Sequence, residues 1–250
     1  MIFKSIRVRI AQGSQTVDDV HRAIPAGLRG RPVIGAAPCA AECRACVDVC
    51  PTHAIVREPL ALDLGRCVFC AECVDACPDG KIQFTPDPKM SATARGDLLV
   101  RPGDTSALRV RAHDTFTRLF GRSLRMRQVS AGGCNACELE LNALSNVNFD
   151  VQRFGIEWVA SPRHADALIL TGPLTRNMQE AVRLAWDAMP DPRFVVAVGA
   201  CAISGGLYEQ AAGVAREFLD SVGPSLFVPG CPPHPLTFIT ALLEMLGAAK

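Results

Sequence analysis

The sequence predicts an α/β protein in which a short cysteine-rich α+β module precedes an open, parallel sheet. Three observations predict it. Eight of the twelve cysteines lie between Cys39 and Cys77, in a stretch with little regular periodicity. Beyond about Arg127, continuous apolar runs at Ala167–Thr171 and Phe194–Gly199 end in or run up to glycine, as central strands covered on both faces do. Helical stripes separate and follow them: Met178, Val182, Leu184, Ala185 and Met189; then Val214, Phe218 and Leu219; then Leu236, Ile239, Leu242, Leu243 and Leu246. Strand–helix alternation of this kind builds a parallel sheet. The expected organisation is residues 1–84 for the cysteine module with an N-terminal extension, 85–125 for a polar linker or docking segment, and 126–250 for the sheet domain.

Within the first part, MIFKSIRVRI alternates (Ile2, Lys4, Ile6, Val8 and Ile10 against Phe3, Ser5, Arg7 and Arg9) and is expected as a strand; it lacks the apolar core and cleavage site of a signal peptide. Ala54–Val56 and Ile82–Phe84 follow the two cysteine runs as short strands or hairpins. From Thr85 on, Pro86, Pro88, Gly96, Pro102 and Gly103 break the pattern.

The totals narrow the function. With 26 basic and 25 acidic side chains, the formal net charge of +1 offers no global field for nucleic acid. The longest apolar run, Phe194 to Ile203, is about half of the ~20 residues that span a bilayer. At 250 residues the chain is too long to need disulfide staples, so its thiols are expected to serve metal in a reducing compartment.

The cysteine module repeats itself. CxxxCxxCxxxCP at Cys39, Cys43, Cys46, Cys50 and Pro51 is echoed by CxxCxxCxxxCP at Cys67, Cys70, Cys73, Cys77 and Pro78. Three close cysteines wrap three corners of a [4Fe–4S] cube, and the fourth ligand arrives from the other repeat, as in two-cluster ferredoxins. The assignment is therefore Cys39, Cys43, Cys46 and Cys77 for one cluster, and Cys67, Cys70, Cys73 and Cys50 for the other. Each proline ends the local turn and removes a backbone donor. Zinc in Cys₄ ribbons is the competing reading, but two triple runs each closed by Cys-Pro are not a zinc pattern. One departure stands out: three residues, not two, separate Cys39 from Cys43.

The last four cysteines follow expected strands. Cys134 and Cys137 come after Met126–Val129, Cys201 after Phe194–Gly199, and Cys231 after Leu226–Val228. All three segments would be loops at the carboxyl edge of the sheet, where open α/β sheets bind ligands. A third cluster on Cys134, Cys137, Cys201 and Cys231 is the expectation, with Gly132, Gly133, Gly199 and Gly230 letting backbone approach it. Isolated buried thiols are the bland alternative.

The segments SAGGCNACELELNAL, VASPRHADALILTGPLTRNM, VVAVGACAISGG and VPGCPPHP resemble the small subunit of membrane-associated [NiFe] hydrogenases, including the formate hydrogenlyase type. That family is related to the 20-kDa subunit of respiratory complex I. GLRGRP at Gly27–Pro32 and the two cysteine runs resemble the two-cluster ferredoxin subunit that accompanies it. The resemblance implies a flavodoxin-like C-terminal domain, a proximal cluster on the four C-terminal cysteines, and three [4Fe–4S] clusters in all. It further implies a catalytic large subunit as partner, of the [NiFe] hydrogenase or complex I 49-kDa kind, together with membrane-arm subunits, and a cytoplasmic site at the inner face of the membrane. Cys134 and Cys137 form CxxC, the hydrogenase arrangement, whereas the complex I subunit resembling this chain has adjacent cysteines. The rivals are a complex I-like quinone-reducing module without NiFe, and a stand-alone ferredoxin-type carrier.

Other residues are weighed more lightly. Seven arginines between Arg101 and Arg127, with Phe116, Leu119, Phe120 and Leu124, are expected to dock on a membrane partner or headgroups, or to be a solvated helix face. Glu138 and Glu140 are candidates for tuning the proximal cluster or moving protons, against simple pairing with arginines. His164 and His234 are candidates for hydrogen bonding near the cluster edge. No GxGxxG, phosphate loop or Ser–His–Asp set is present, so no catalytic residue is expected in the chain itself.

Overall fold

The computed structural model describes residues 2–104, 110–112, 114–121 and 123–247, with the backbone alone at Thr115. The first element is a helix, α1 (Ile2–Gln12), not the strand that alternation predicted. Ile2, Ile6 and Ile10 satisfy both a two-residue and an i, i+4 repeat, so the pattern itself did not decide. Among the described residues no strand pairs with this segment, which leaves the intrahelical ladder to satisfy its backbone.

The cysteine module carries β1 (Pro32–Ile34), α2 (Ala45–Asp48), β2 (Ile55–Arg57), β3 (Leu60–Asp63), α3 (Glu72–Asp75) and β4 (Ile82–Phe84). β1 pairs antiparallel with β4, Val33 opposite Gln83. β2 pairs antiparallel with β3, Val56 opposite Ala61. The internal repeat is visible as two one-turn helices, each followed by a strand.

The 85–125 stretch is packed rather than free. β5 (Leu99–Val100) adds to β3, and Ala92 bridges Phe227 in the other part of the chain. In α4 (Asp114–Phe120), Phe120 is buried and the Phe116 ring meets Phe194 edge-on at 4.8 Å. The apolar side of this basic segment is thus spent on the core, leaving Leu119 exposed, while Leu124 belongs to a strand. Arg109 and Arg122 lie outside the described residues.

The remaining elements are β6 (Leu124–Ser130), α5 (Ala136–Ala143), β7 (Ile156–Trp158), β8 (Ala167–Thr171), α6 (Arg176–Asp187), β9 (Phe194–Val198), α7 (Gly199–Ser204), α8 (Glu217–Val222), β10 (Leu226–Val228) and α9 (Pro235–Met245). The five strands form one parallel sheet in the order β10-β9-β8-β6-β7. Every residue of β8 and β9 is buried, the outcome expected of continuous apolar runs. One face is covered by α9, with Val17 and Val20 of the N-terminal extension joining the same core. The other face packs Val182 of α6 and Phe218 and Leu219 of α8 against Leu168, Leu170 and Val195. Leu184, read as part of the buried stripe, points to solvent. Ala197, Ala202, Ile203 and Phe227 of the sheet domain lie in the same core as Leu62, Leu64 and Ile82 of the cysteine module, so the two parts share buried apolar surface. No helix among the described residues is long and apolar enough to cross a membrane.

Candidate metal centres

The twelve cysteines are free thiols gathered into three sets of four. In the first, Cys46 is held by α2, and its thiol is pushed up by burial and then by Cys77, with smaller contributions from Cys39 and Cys43. At Cys77 burial also pushes upward, but the backbone amides of Lys81, Asp79, Ile82 and Gly80 outweigh it and bring the thiol below its ordinary value. The Lys81 amide lies 3.3 Å from Cys77 Sγ.

The extra residue of the Cys39–Cys43 loop is accommodated by Arg57 at the end of β2. Its Nε donates to the Cys43 carbonyl at 3.0 Å, and Nη2 donates to Ala40 and Ala41 at 3.2 and 3.4 Å. One guanidinium fork collects three carbonyls that a wider loop turns out of regular structure.

The second set joins Cys67, Cys70 and Cys73 to Cys50 of the other repeat. Burial drives Cys67 up to about 12, aided by Cys73, Cys50 and Cys70 and opposed by the Phe69 amide. Cys73 rises to about 11, again by burial first, then by Cys50 and Cys70. The Ala54 amide donates to Cys50 Sγ at 3.2 Å and the Phe69 amide to Cys67 Sγ at 3.3 Å. Cys50, Cys67, Cys70 and Cys73 line one hollow, closed by Leu62, Ile55 and Phe84. Arg29 is the counterpart of Arg57: its Nη1 donates to the Phe69 and Cys70 carbonyls at 2.6 and 2.9 Å.

The third set stands at the carboxyl edge of the parallel sheet. The loop after β6 delivers Cys134 and, on the first turn of α5, Cys137; α7 directly after β9 delivers Cys201; the loop after β10 delivers Cys231. Cys137 is pushed up to about 12 by burial, then by Glu138, Cys201, Cys231 and Cys134. Cys201 rises to about 11, by burial, then Cys231 and Cys134. Of the four glycines expected beside this set, Gly199 alone abuts a thiol: a Cβ there would lie 2.7 Å from Cys137 Sγ, at φ +87°. Gly132, Gly133 and Gly230 instead make room for Thr175, Gly172 and Pro233. Gly206, missed by sequence reasoning, approaches Cys201, with a Cβ falling 3.1 Å from its Sγ. The Gly205–Gly206 pair closing α7 was the available signal.

Glu138 is buried and finds hydroxyls rather than an arginine. Thr171 Oγ1 donates to its Oε1 at 2.6 Å; burial alone would raise this carboxyl, but Ser130, Thr171 and its own amide hold it below the usual range. Burial raises Glu140. His234 caps α9, its Nδ1 accepting from the Leu236 amide at 3.1 Å, and burial lowers its pKa. Nε2 therefore carries the proton. His164 is misplaced by the sequence reading. It precedes β8, at the amino edge of the sheet and opposite the cysteine loops, and is exposed. A crevice of about 270 Å³ separates the second and third sets, lined by Arg29, Val68 and Phe69 on one side and by Glu140, Cys231 and His234 on the other.

The donor chemistry fits iron–sulfur clusters. Thiols whose ionisation is opposed by burial and by one another need a strongly cationic centre to hold them as thiolates. The amide donors aimed at Cys50, Cys67 and Cys77 are the kind that stabilise cluster sulfur. Among the described residues, no trio of His, Cys, Asp and Glu converges on a single ion.

Comparison with known proteins decides the family. The sequence model of the NADH ubiquinone oxidoreductase 20-kDa subunit matches residues 134–245, and that of a 4Fe-4S dicluster domain matches residues 10–85. A probable membrane-bound hydrogenase subunit, mbhJ of Pyrococcus furiosus, is 41% identical over 119 residues, 47% of this chain and 71% of that protein. The chain belongs to the 20-kDa-subunit family. Formate hydrogenlyase subunit 7 of Escherichia coli is 40% identical over 126 residues, 50% of this chain and 49% of its own length. NADH-quinone oxidoreductase subunit 6 of Thermus thermophilus is 42% identical over 115 residues, 45% of this chain and 62% of its own. The 20-kDa-subunit domain thus holds the third thiol set, and the dicluster domain the other two.

Proposed function

We propose that this chain is the iron–sulfur electron-transfer subunit of a membrane-associated, [NiFe]-hydrogenase-like complex of the formate hydrogenlyase type, and that it binds three [4Fe–4S] clusters. Cys39, Cys43, Cys46 and Cys77 would hold the first, Cys50, Cys67, Cys70 and Cys73 the second, and Cys134, Cys137, Cys201 and Cys231 the third. When bound, the clusters supply one-electron relay chemistry between a donor and a catalytic large subunit. The observation that carries the reading is the grouping of twelve thiols into three sets of four, with ligand exchange between the repeats.

The chain's own residues prepare each site. Leu62, Ile55 and Phe84 line the hollow in which Cys67 and Cys73 are buried, while Cys70 is exposed. Arg57 and Arg29 fix the two cysteine loops by their carbonyls. Exposed Cys134 and Cys231, with Leu139, Leu207 and Tyr208 also exposed, form the surface that the large partner would cover. The CxxC spacing at Cys134 and Cys137 favours a hydrogenase-like partner over a quinone-reducing one.

Anaerobic purification with native partners, followed by metal analysis, tests the proposal. Iron should approach about 12 per chain, and nickel should accompany the complex. Iron near eight would remove the third cluster. Zinc without visible absorption would overturn the iron reading, and a complex free of nickel would favour the quinone-reducing branch.

A further inference from the structure

Helix α1 has no buried residue. Ile2, Phe3, Ile6, Val8 and Ile10 are 45 to 81% exposed, the densest run in sequence of exposed large apolar side chains among the described residues. At 3.6 residues per turn, Ile2, Phe3, Ile6 and Ile10 fall within an arc of about 100°. Arg9 borders one edge of that arc and Arg7 the other, while Lys4 and Val8 stand on the far side; the helix contains no acidic residue. Cations on both margins of an apolar stripe suit a flat interface, where aliphatic stems lie along the acyl boundary and the charged ends rise to anionic headgroups.

The other basic amphipathic segment differs. In α4, Phe116 and Phe120 are turned into the core against Phe194. In α1 nothing among the described residues buries the stripe.

The foot of α1 is tied down. The Val17 amide donates to the Asn148 carbonyl at 2.8 Å, Asn148 Nδ2 donates to the Gln15 carbonyl at 3.2 Å, and Val20 is buried in the core of the sheet domain. Beside Asn148, exposed Val147 extends the apolar surface, and Phe149 packs edge-on to His234 at 5.9 Å. His234 lines the crevice with Cys231. Arg153, just before β7, also donates to the Val17 carbonyl, so the helix is anchored on the segment that joins α5 to β7.

We infer that α1 is an interfacial helix that seats this chain on an anionic phospholipid surface. The inference deepens the proposed function by naming the element that meets the membrane, and rests on that reading for its setting alone.

The test is flotation of the anaerobically purified full chain with phosphatidylcholine vesicles, with and without phosphatidylglycerol. Binding is expected only with phosphatidylglycerol, and should weaken steeply with salt. Neutralising Arg7→Gln with Arg9→Gln should lower partitioning about 25-fold, near fivefold per charge. Ile6→Ser with Ile10→Ser should abolish it at any salt. Because α1 is exposed, all four changes should leave iron content and partner co-purification as in the unaltered chain; an unaltered chain purified without iron would count against the cluster proposal instead. Equal binding to neutral vesicles, no binding to anionic ones, or full binding by the arginine variant would each overturn the inference. So would protection of α1 amides from hydrogen exchange by added partner subunits but not by vesicles, since a protein groove would then be the occupant.

Discussion

The two cysteine-bearing parts of the molecule solve the same problem in opposite ways. Between Cys39 and Cys77 the cysteines lie close in sequence, on and around one-turn helices beside a two-stranded and a three-stranded sheet. At the sheet edge the four thiols come from three segments far apart in sequence, which follow β6, β9 and β10; β9 and β10 are buried along their whole length. The first part has short elements around its thiols, and on the proposed function would depend on the clusters they bind; the second has a larger sheet core of its own. The difference teaches that similar ligand sets can be the cause of a local fold or its consequence.

Removing iron should break that symmetry most visibly. In the apo-protein, amide protection in β1, β2 and β4 should collapse while β8 and β9 remain protected, as read by hydrogen exchange. Equal loss in both parts would erase the distinction. Gly199→Ala should act only on the sheet-edge site, since its Cβ would enter the space of Cys137 Sγ at a positive φ. Iron should fall from about 12 to about 8 per chain, with the signals of the N-terminal clusters unchanged. Leu168→Ala, at a fully buried position of β8, should destabilise the sheet domain by about 2–5 kcal/mol in denaturant titration. Iron retention in the cysteine module should change little below the transition. The smallest effect is expected at Glu244, whose carboxyl is raised by burial, with Lys89 opposing and Asp87 adding. A raised carboxyl favours the protonated folded state, so its contribution is present at acid pH and lost as pH rises through the folded value. Glu244→Gln should therefore raise the melting temperature at pH 7 by about 1–2 °C, with the gain vanishing below about pH 4.

Much of this was legible in the sequence, for reasons that differ by element. β8 and β9 announced themselves because buried parallel strands are apolar on both faces. The repeat around Cys39 and Cys67 was plain because cluster ligands need fixed spacings. α1 was misread because positions 2, 6 and 10 serve two periodicities, and only the lack of a pairing strand among the described residues decides between them. β3 and β5 were missed, the second being two residues long inside a polar stretch. His164 was misplaced because a loop before a strand and a loop after one look alike in composition, though they lie at opposite ends of a parallel sheet. Arg57 carried no signal, and Arg29 only its place in GLRGRP, since their task is set by carbonyls brought near only by folding.

Phe227 and Ile203 of the sheet domain share a core with Leu62 and Ile82 of the cysteine module, and Ala92 bridges Phe227 through backbone hydrogen bonds at 3.1 and 2.9 Å. Two proteins meeting through such a contact would part on dilution according to their dissociation constant. Joined in one polypeptide, the partners see each other at a high effective concentration whatever the number of copies in the cell. The ratio of the two modules is then fixed at synthesis, and no assembly step is needed to bring them together.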